Sequence, residues 1–332
     1  YGHSTSELLS HRRGPLVIVC FLAVVLVILF PLILHRFPWD FSPFTLGILG
    51  MLFLFVLLFL KVPIGFAMAL TGFLGMWALT GQSLGPLRML GSAPYVETAS
   101  FVMAAVPLFV LMGELALYSG LSQDLFASAY TWFGRLPGGL AMASVAGCAG
   151  FAAVCGDSLA TAVTMGSVAL PEMRKKRYDL GLATGAIAAG GTLGILIPPS
   201  LGFIFYALIT EESIGKLFIA GILPGVLMAA LFILCIYVVA KLRPGMAPAG
   251  EPTPFGDKIR SVRGILPMMG LFLLILGGML LGLFSPTEGG AIGAVGASLY
   301  ALVRRRMNRQ VLLKALEETA VISYKLLLVV IG

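Results

Sequence analysis

The sequence predicts an all-α polytopic membrane protein, and its composition, its long apolar runs and the breaks in two of those runs support this. Hydrophobic residues make up 59% of the 332 residues and charged residues 11%, whereas soluble domains average about 25% charged residues. A bilayer-spanning helix needs about 20 apolar residues, and several runs approach that length. Because lipid cannot solvate free backbone groups, the two breaks have to face protein or a water-filled cavity.

The candidate spans follow one another along the chain. They lie near 15–34, 44–60, 63–80, 101–118, 181–210, 217–240, 264–284 and 288–303. The first lacks a small-residue cleavage site, so it predicts a retained helix and not a secretory signal. The stretch 138–170 is interrupted at Gly156-Asp157-Ser158, and each of its two legs is short for a full crossing. We therefore expect a re-entrant hairpin whose two ends lie on the same side.

The basic residues support this topology. With a cytoplasmic N-terminus and a re-entrant 138–170, the large basic clusters lie on the cytoplasmic side, as the positive-inside rule requires. These clusters include Arg135, Arg174–Arg177, Lys241 with Arg243, Lys258–Arg263 and Arg304–Arg306. A single crossing at 138–170 would place the later clusters outside. The net charge of +7 is thereby explained by topology. We expect the chain to lie in the lipid bilayer and to have no nucleic-acid partner.

The remaining features exclude other classes of protein. The sequence contains no HExxH, GxSxG or GxxxxGK[ST] motif, so neither a metalloprotease nor an ATP-driven pump is indicated, and no enzyme is expected. Four cysteines lie in apolar segments without CxxC pairing, which predicts no redox framework and no cofactor. Residues 310–320 suggest a cytoplasmic-surface helix. A new span beginning near Ala320 reaches Gly332, and we expect the chain to be incomplete there.

Asp157 is the only acidic residue in the centre of an apolar stretch. A carboxylate at that depth costs at least about 2.5–3.5 kcal/mol, so it should face a cavity or a partner. With Ser158 and Thr161 it predicts a cation or proton site at the hairpin tip. The alternative is a structural carboxylate that accepts hydrogen bonds from Ser158 and nearby backbone amides. Glu114, near the cytoplasmic end of 101–118, is expected to have a structural role.

The second break runs from Gly190 to Ser200, as GGTLGILIPPS. Prolines remove backbone donors and glycines let the backbone unwind. The freed carbonyls of Gly194 and Ile197 are hard oxygen ligands suited to a small cation such as Na⁺. A simple proline kink in a packing helix is the alternative.

The order of these motifs resembles a known family. Its most specific parts are the hairpin with Ala160-Thr161-Ala162, Met165-Gly166-Ser167 and Leu170-Pro171-Glu172-Met173, then Gly181–Gly185, Gly190–Ser200, Ile214–Phe218, Gly221–Gly225 and Ser285–Glu288. The chain is similar to the large membrane subunit of the TRAP (tripartite ATP-independent periplasmic) transporters. The resemblance covers roughly 42–332, which leaves 1–41 as a tail with an extra helix, interpreted as the remnant of a fusion to the small subunit.

The resemblance implies an elevator-type, Na⁺-coupled importer of organic acids such as C4-dicarboxylates, sialic acid or keto acids. It would work in the bacterial inner membrane with a periplasmic substrate-binding protein and a small four-helix membrane subunit. It implies Na⁺ at Cys155, Asp157, Gly194, Ile197 and Pro199. The wider ion- or substrate-binding set is expected to comprise these five with Gly156, Ser158, Thr161, Gly191, Thr192 and Pro198.

Two features depart from the family pattern. Many members have a Ser-Gly-Ser-Ser tip where this chain has Cys155-Gly156-Asp157-Ser158, so the coupled ions can differ. The family's second hairpin and second broken helix would lie beyond Gly332, so the inverted-repeat architecture is only partly represented. Two alternatives stay open at this point. One is a dicarboxylate or citrate symporter that works without a binding protein, and the other is a membrane scaffold that transports nothing.

Overall fold

A computed structural model describes residues 42–250 and 253–332. Every regular element in them is helical, which confirms the predicted all-α fold class. Two 3-10 helices, Phe101–Ala104 and Thr192–Ile195, accompany the α-helices. The α-helices are α1 Pro43–Phe59, α2 Ile64–Thr80, α3 Leu84–Thr98, α4 Ala105–Tyr118, α5 Leu121–Phe133, α6 Gly139–Cys155, α7 Ser158–Lys175, α8 Leu180–Gly191, α9 Leu201–Thr210, α10 Ile214–Leu242, α11 Phe255–Leu280, α12 Pro286–Val303 and α13 Arg309–Ile331. The expected extra helix at 15–34 lies outside the described residues.

Three of these helices differ from the sequence-based expectation. Helices α3 and α5 both lie between candidate spans, where the apolar runs do not indicate a helix. Helix α13 is continuous, so no break separates the expected surface helix at 310–320 from the expected span that begins near Ala320. The physical reason is that α13 contains neither glycine nor proline, and nothing stops the helix from continuing through the change in polarity.

The described chain forms two units. The first comprises the residues up to Ser100 together with Tyr324–Gly332. Helices α1 and α2 pack there around the buried side chains of Leu57, Val62 and Ala67. The second unit comprises Phe101–Ser323, and it contains both sequence breaks, so the candidate site is a property of this unit alone.

Helices α4 and α12 pack in parallel in the second unit. Near their N-terminal ends, the Thr287 hydroxyl donates to the Phe101 carbonyl over 3.1 Å. At the other end, the Arg306 guanidinium donates to the Ser119 carbonyl over 3.3 Å. Gly293 lies against the Met112 side chain between these two points, where a β-carbon would collide with the sulfur. The small residues of α12 therefore allow the two helices to approach closely along their whole length.

Helices α6 and α7 form a hairpin whose two ends at the base are neighbours. The Leu140 amide, at the start of α6, donates over 3.2 Å to the hydroxyl of Tyr178, just after α7. That hydroxyl in turn donates to the Pro248 carbonyl over 3.0 Å. Burial raises the pKa of the Tyr178 phenol above its usual value, so it keeps the proton that it donates.

The segment 244–250, between α10 and α11, joins the base of the hairpin through backbone hydrogen bonds. The Ala247 carbonyl accepts from Gly138 over 3.2 Å, and the Met246 carbonyl accepts from Asp179 over 2.8 Å. Both ends of the hairpin are thus held by one short segment. The Pro/Gly-rich composition of this segment suits the irregular backbone that such contacts require.

Two helical stretches are long and apolar enough to cross a membrane by length and composition, Phe101–Tyr118 and Ile214–Leu242. Shorter apolar helices include α1, α2 and α6. Helix α10 has large apolar side chains exposed along its length, among them Leu223, Leu227 and Leu234. A helix that is apolar all round and exposed is typical of a lipid-facing element.

Candidate functional site

The tip of the hairpin is a two-residue connection between α6 and α7. Helix α6 ends at Cys155, and Gly156 adopts a left-handed conformation with φ +65°, which favours glycine because a side chain would be strained there. The Gly156 amide closes the helix by donating to the Ala152 carbonyl over 2.9 Å. Asp157 then returns to extended backbone and α7 begins at Ser158. The helix therefore breaks at the point that the sequence indicates.

Asp157 is the N-cap of α7. Its Oδ1 accepts from the Ala160 amide over 2.6 Å, and its carbonyl accepts from the Thr161 hydroxyl over 2.6 Å. This arrangement stabilises the first turn, typically by about 1 kcal/mol. It supports the structural alternative in part, because a backbone amide binds the carboxylate. The second carboxylate oxygen accepts no hydrogen bond from the described residues, so a capping role does not use the whole group.

The second break separates α8 from α9. Helix α8 ends at Gly191, a 3-10 turn follows over Thr192–Ile195, and α9 begins at Leu201. In a continuous α-helix the Gly194 carbonyl would accept from residue 198, which is a proline without an N–H. The Ile197 carbonyl would accept from the Leu201 amide, which donates instead to Gly156 over 3.2 Å. Both carbonyls that the sequence suggested as ligands therefore lose their helical donors.

The hairpin tip and the second break lie directly against each other. The hydrogen bond from Leu201 to Gly156 is one link between them. A β-carbon on Gly156 would overlap the Pro199 carbonyl oxygen, and one on Gly194 would lie 2.5 Å from the Asp157 carbonyl oxygen. Glycine is required at both positions because backbone meets backbone there without room for a side chain. The structure thus brings together two segments that are about 40 residues apart in sequence.

The other predicted site residues lie at different distances from this contact. Thr161 is fully buried and bonded to Asp157, and Gly191 packs against Ala162 of α7, the residue after Thr161. Thr192 is exposed, and its hydroxyl donates to the Ala189 carbonyl near the end of α8 over 2.6 Å. The Thr192 hydroxyl makes no hydrogen bond to the tip within the described residues. Ser158 is half-buried at the start of α7.

Ile197 and Pro198 also line an apolar cavity of about 260 Å³ beside the hairpin. Its other walls come from α5, α6, α10 and α11, through residues such as Leu125, Gly150 and Met269. The cavity offers almost no polar surface, so it does not extend the candidate ion site. Helix α10 nevertheless contacts the second break directly, since a β-carbon on Gly225 would lie 2.8 Å from the Ile197 side chain.

One acidic residue lies closer to the tip than the sequence suggested. A β-carbon on Gly113 of α4 would lie 3.0 Å from the Cys155 Cα, so α4 touches the end of α6. The next residue, Glu114, is only 7% exposed. The sequence placed it at the cytoplasmic end of a span with a structural role. The sequence signal for this position is a carboxylate directly after a glycine in an apolar helix, because the glycine allows another helix to approach closely.

The arrangement offers hard oxygen atoms to a cation. One oxygen of the Asp157 carboxylate accepts no hydrogen bond from residues 42–250 and 253–332. The Gly194 carbonyl lacks its helical donor because residue 198 is proline, and the Ile197 carbonyl lacks its own because the Leu201 amide donates to Gly156. No group of three or more His, Cys, Asp or Glu side chains in the described residues is arranged to hold a metal ion. A site of one carboxylate with backbone carbonyls fits a singly charged alkali cation better than a multidentate side-chain metal centre.

Comparisons with known proteins agree with the resemblance seen in the sequence. Residues 51–332 match the family described as "Tripartite ATP-independent periplasmic transporter, DctM component". The chain is 36% identical over 245 residues to the C4-dicarboxylate TRAP transporter large permease protein DctM of Pseudomonas aeruginosa, covering 74% of this chain and 57% of the relative. It is 32% identical over 247 residues to the ectoine large permease protein TeaC of Halomonas elongata, covering 74% and 56%.

A third relative is the sialic acid TRAP transporter large permease protein SiaM of Vibrio cholerae. It is 30% identical over 284 residues, covering 83% of this chain and 64% of the relative. The isethionate TRAP transporter permease protein DctMQ of Oleidesulfovibrio alaskensis is 30% identical over 263 residues, covering 78% and 41%. The chain therefore spans less than two thirds of the length of these curated relatives.

Proposed function

This chain belongs to the DctM family of TRAP transporter large permeases, which are integral inner-membrane transport proteins and not enzymes, and we propose that it contributes a Na⁺ site to an organic-acid importer. The observation that carries the proposal is the contact between the hairpin tip and the second break. There the backbone of Asp157 lies against Gly194, in a segment whose carbonyls at Gly194 and Ile197 lack helical donors. Secondary transporters hold coupling cations with unwound backbone of this kind.

In the proposed mechanism, Na⁺ binds to the second Asp157 carboxylate oxygen and to the carbonyls of Gly194 and Ile197. Cys155 and Pro199 are the remaining proposed ligands. The cation neutralises a carboxylate that would otherwise be costly at membrane depth. It also ties the tip to the second break, because both segments contribute ligands. Only the occupied, neutralised site then moves readily through the apolar surroundings.

An elevator-type movement of the hairpin is also part of the proposal. Arg304 forms an ion pair with Asp124, and Arg306 contacts Ser119, so this basic cluster lies at the start of α5. The hairpin base and the segment 244–250 lie at the other end, where Gly250 donates to Gly134 over 2.8 Å. These two places lie at opposite ends of α5, whose 13 residues span about 20 Å. We propose that transport moves the hairpin relative to α4 and α12.

The relatives suggest the substrate class and the partners. The relative with 36% identity is named for C4-dicarboxylates, so we propose a C4-dicarboxylate ahead of sialic acid or a keto acid. TRAP systems combine the large permease with a periplasmic binding protein and a small membrane subunit, and we propose both as partners. The relative DctMQ carries a name that joins the two membrane components, which supports the hypothesis that residues 1–41 are a fusion remnant. A cytoplasmic N-terminus remains part of the proposal.

Uptake of radiolabelled succinate into proteoliposomes tests this function. The complete transporter is reconstituted with and without its binding protein, under an inward gradient of Na⁺ or of K⁺. We expect uptake only when both the binding protein and the Na⁺ gradient are present. Na⁺-driven uptake without the binding protein would favour the symporter, and no uptake of any organic acid under any gradient would favour the scaffold. Either result would overturn the proposal.

A further inference from the structure

A buried carboxylate lies beside the hairpin tip and is not part of the site described above. Glu114 of α4 is 7% exposed, and it forms no hydrogen bond or ion pair with any of the described residues. Burying an ionised carboxylate without a partner is expensive, and intramembrane acids are functional sites by default. A cation that binds beside Glu114 would neutralise it when it is ionised.

The charges around Glu114 do not supply that species. Its electrostatic neighbours are Glu318, Asp157 and Lys314. Lys314 is directed to Tyr118, with its Nζ 5.5 Å from the centre of the ring, and it makes no ion pair with Glu114. Two acidic neighbours against one amine leave a negative potential at this position. A small cation is attracted there.

The end of α6 supplies further oxygen atoms. A helix leaves its last four carbonyls without intrahelical donors, and in α6 only the first of these, from Ala152, accepts from Gly156. The other three, from Ala153, Val154 and Cys155, accept no hydrogen bond from the described residues. The negative end of the helix dipole lies at the same place. Gly113 brings α4 against this end, since its β-carbon position is 3.2 Å from the Cys155 carbonyl oxygen.

We propose that Glu114 and the carbonyls at the end of α6 form a second Na⁺ site, separate from the one at Asp157 and residues 194–199. One carboxylate with neutral carbonyl oxygens balances a single positive charge, which fits an alkali cation. The two sites are neighbours at the tip, because Gly156 contacts the second break and Cys155 contacts α4. This inference rests on the proposed function, because it assigns a second coupling ion to the same transport site.

Equilibrium binding of ²²Na⁺ to the purified complete transporter tests the proposal directly. We expect Glu114→Gln to lose one Na⁺ per transporter relative to wild type. The matched control is Glu212→Gln, which removes an exposed carboxylate between α9 and α10 and should keep the wild-type count. Glu114→Asp keeps the charge but shortens the reach, so it should keep the count with an apparent Na⁺ affinity about 10-fold lower.

Equal Na⁺ counts in Glu114→Gln and Glu212→Gln would overturn the proposal. If the counts were equal and Glu114→Gln altered only the pH dependence of uptake, Glu114 would bind a proton and not Na⁺. If Glu114→Gln does not fold, wild-type Na⁺ affinity in Glu114→Asp would overturn it. The binding count does not depend on uptake. A wild-type transporter that binds Na⁺ but imports no organic acid would contradict the proposed function and leave the second site to be decided by the count.

Discussion

Replacing Gly194 with alanine tests the contact between the hairpin tip and the second break most sharply. The new β-carbon would lie 2.5 Å from the Asp157 carbonyl oxygen and 2.7 Å from the Ser158 nitrogen. Ordinary contacts are about 3.5–4.0 Å, so the two segments have to separate by about 1 Å. Both obstacles are backbone atoms, and no side chain can rotate away. Overpacking of this kind costs about 1–3 kcal/mol, and about 1 Å of misplacement can cost about 100-fold in activity.

The assay compares Gly194→Ala with Gly185→Ala in the complete transporter. A β-carbon on Gly185 in the middle of α8 meets nothing within 4 Å, so this control adds the same methyl group in open space. We expect Gly194→Ala to raise the Na⁺ concentration for half-maximal uptake by at least about 10-fold, and Gly185→Ala to leave it unchanged. If the two variants have the same Na⁺ dependence and thermal stability, the tip and the break do not meet as described.

Three other outcomes follow from the same structure. Tyr178→Phe removes the hydroxyl that joins Leu140 to Pro248, and we expect a loss of about 1–3 kcal/mol in thermal unfolding; an unchanged midpoint would contradict the role of this link. Asp157→Ala should lose about 1 kcal/mol through the missing cap, whereas Asp157→Asn should not, because asparagine caps equally well; equal losses would contradict the cap. Single cysteines at Arg135 and Arg174, in a background without native cysteines, should resist external labelling of intact cells, and labelling of either would contradict a base that lies on the cytoplasmic side.

Much of the fold could be predicted because it depends on local signals. Apolar runs mark most of the helices, and the start of α7 follows from Asp157, whose side chain caps the turn. The gap between α8 and α9 follows from Pro198 and Pro199, which cannot donate to the preceding turn. These effects act within four residues of their cause. A single sequence is therefore sufficient to place them.

The rest depends on tertiary contacts that leave no local mark. Helix α5 is only moderately apolar, and its place is fixed by partners such as Ser261 of α11, which receives a hydrogen bond from Thr131 over 2.9 Å. Glu114 lies near the hairpin tip because the preceding residue, Gly113, packs against Cys155, about 40 residues later in the chain. The contacts of the segment 244–250 with Gly138 and Asp179 run through the backbone. Backbone hydrogen bonds between distant segments do not depend on a particular side-chain pattern, so the sequence does not predict them.

The Na⁺ dependence of uptake by Asp157→Asn tests the central claim most directly. Asparagine keeps the cap on α7 but removes the charge that is proposed to neutralise the cation. We expect near-normal amounts of folded protein and an at least about 10-fold higher Na⁺ concentration for half-maximal uptake of the organic acid, since about 1.4 kcal/mol of lost cation binding corresponds to that factor. Wild-type Na⁺ dependence in this variant would contradict a cation site at the hairpin tip.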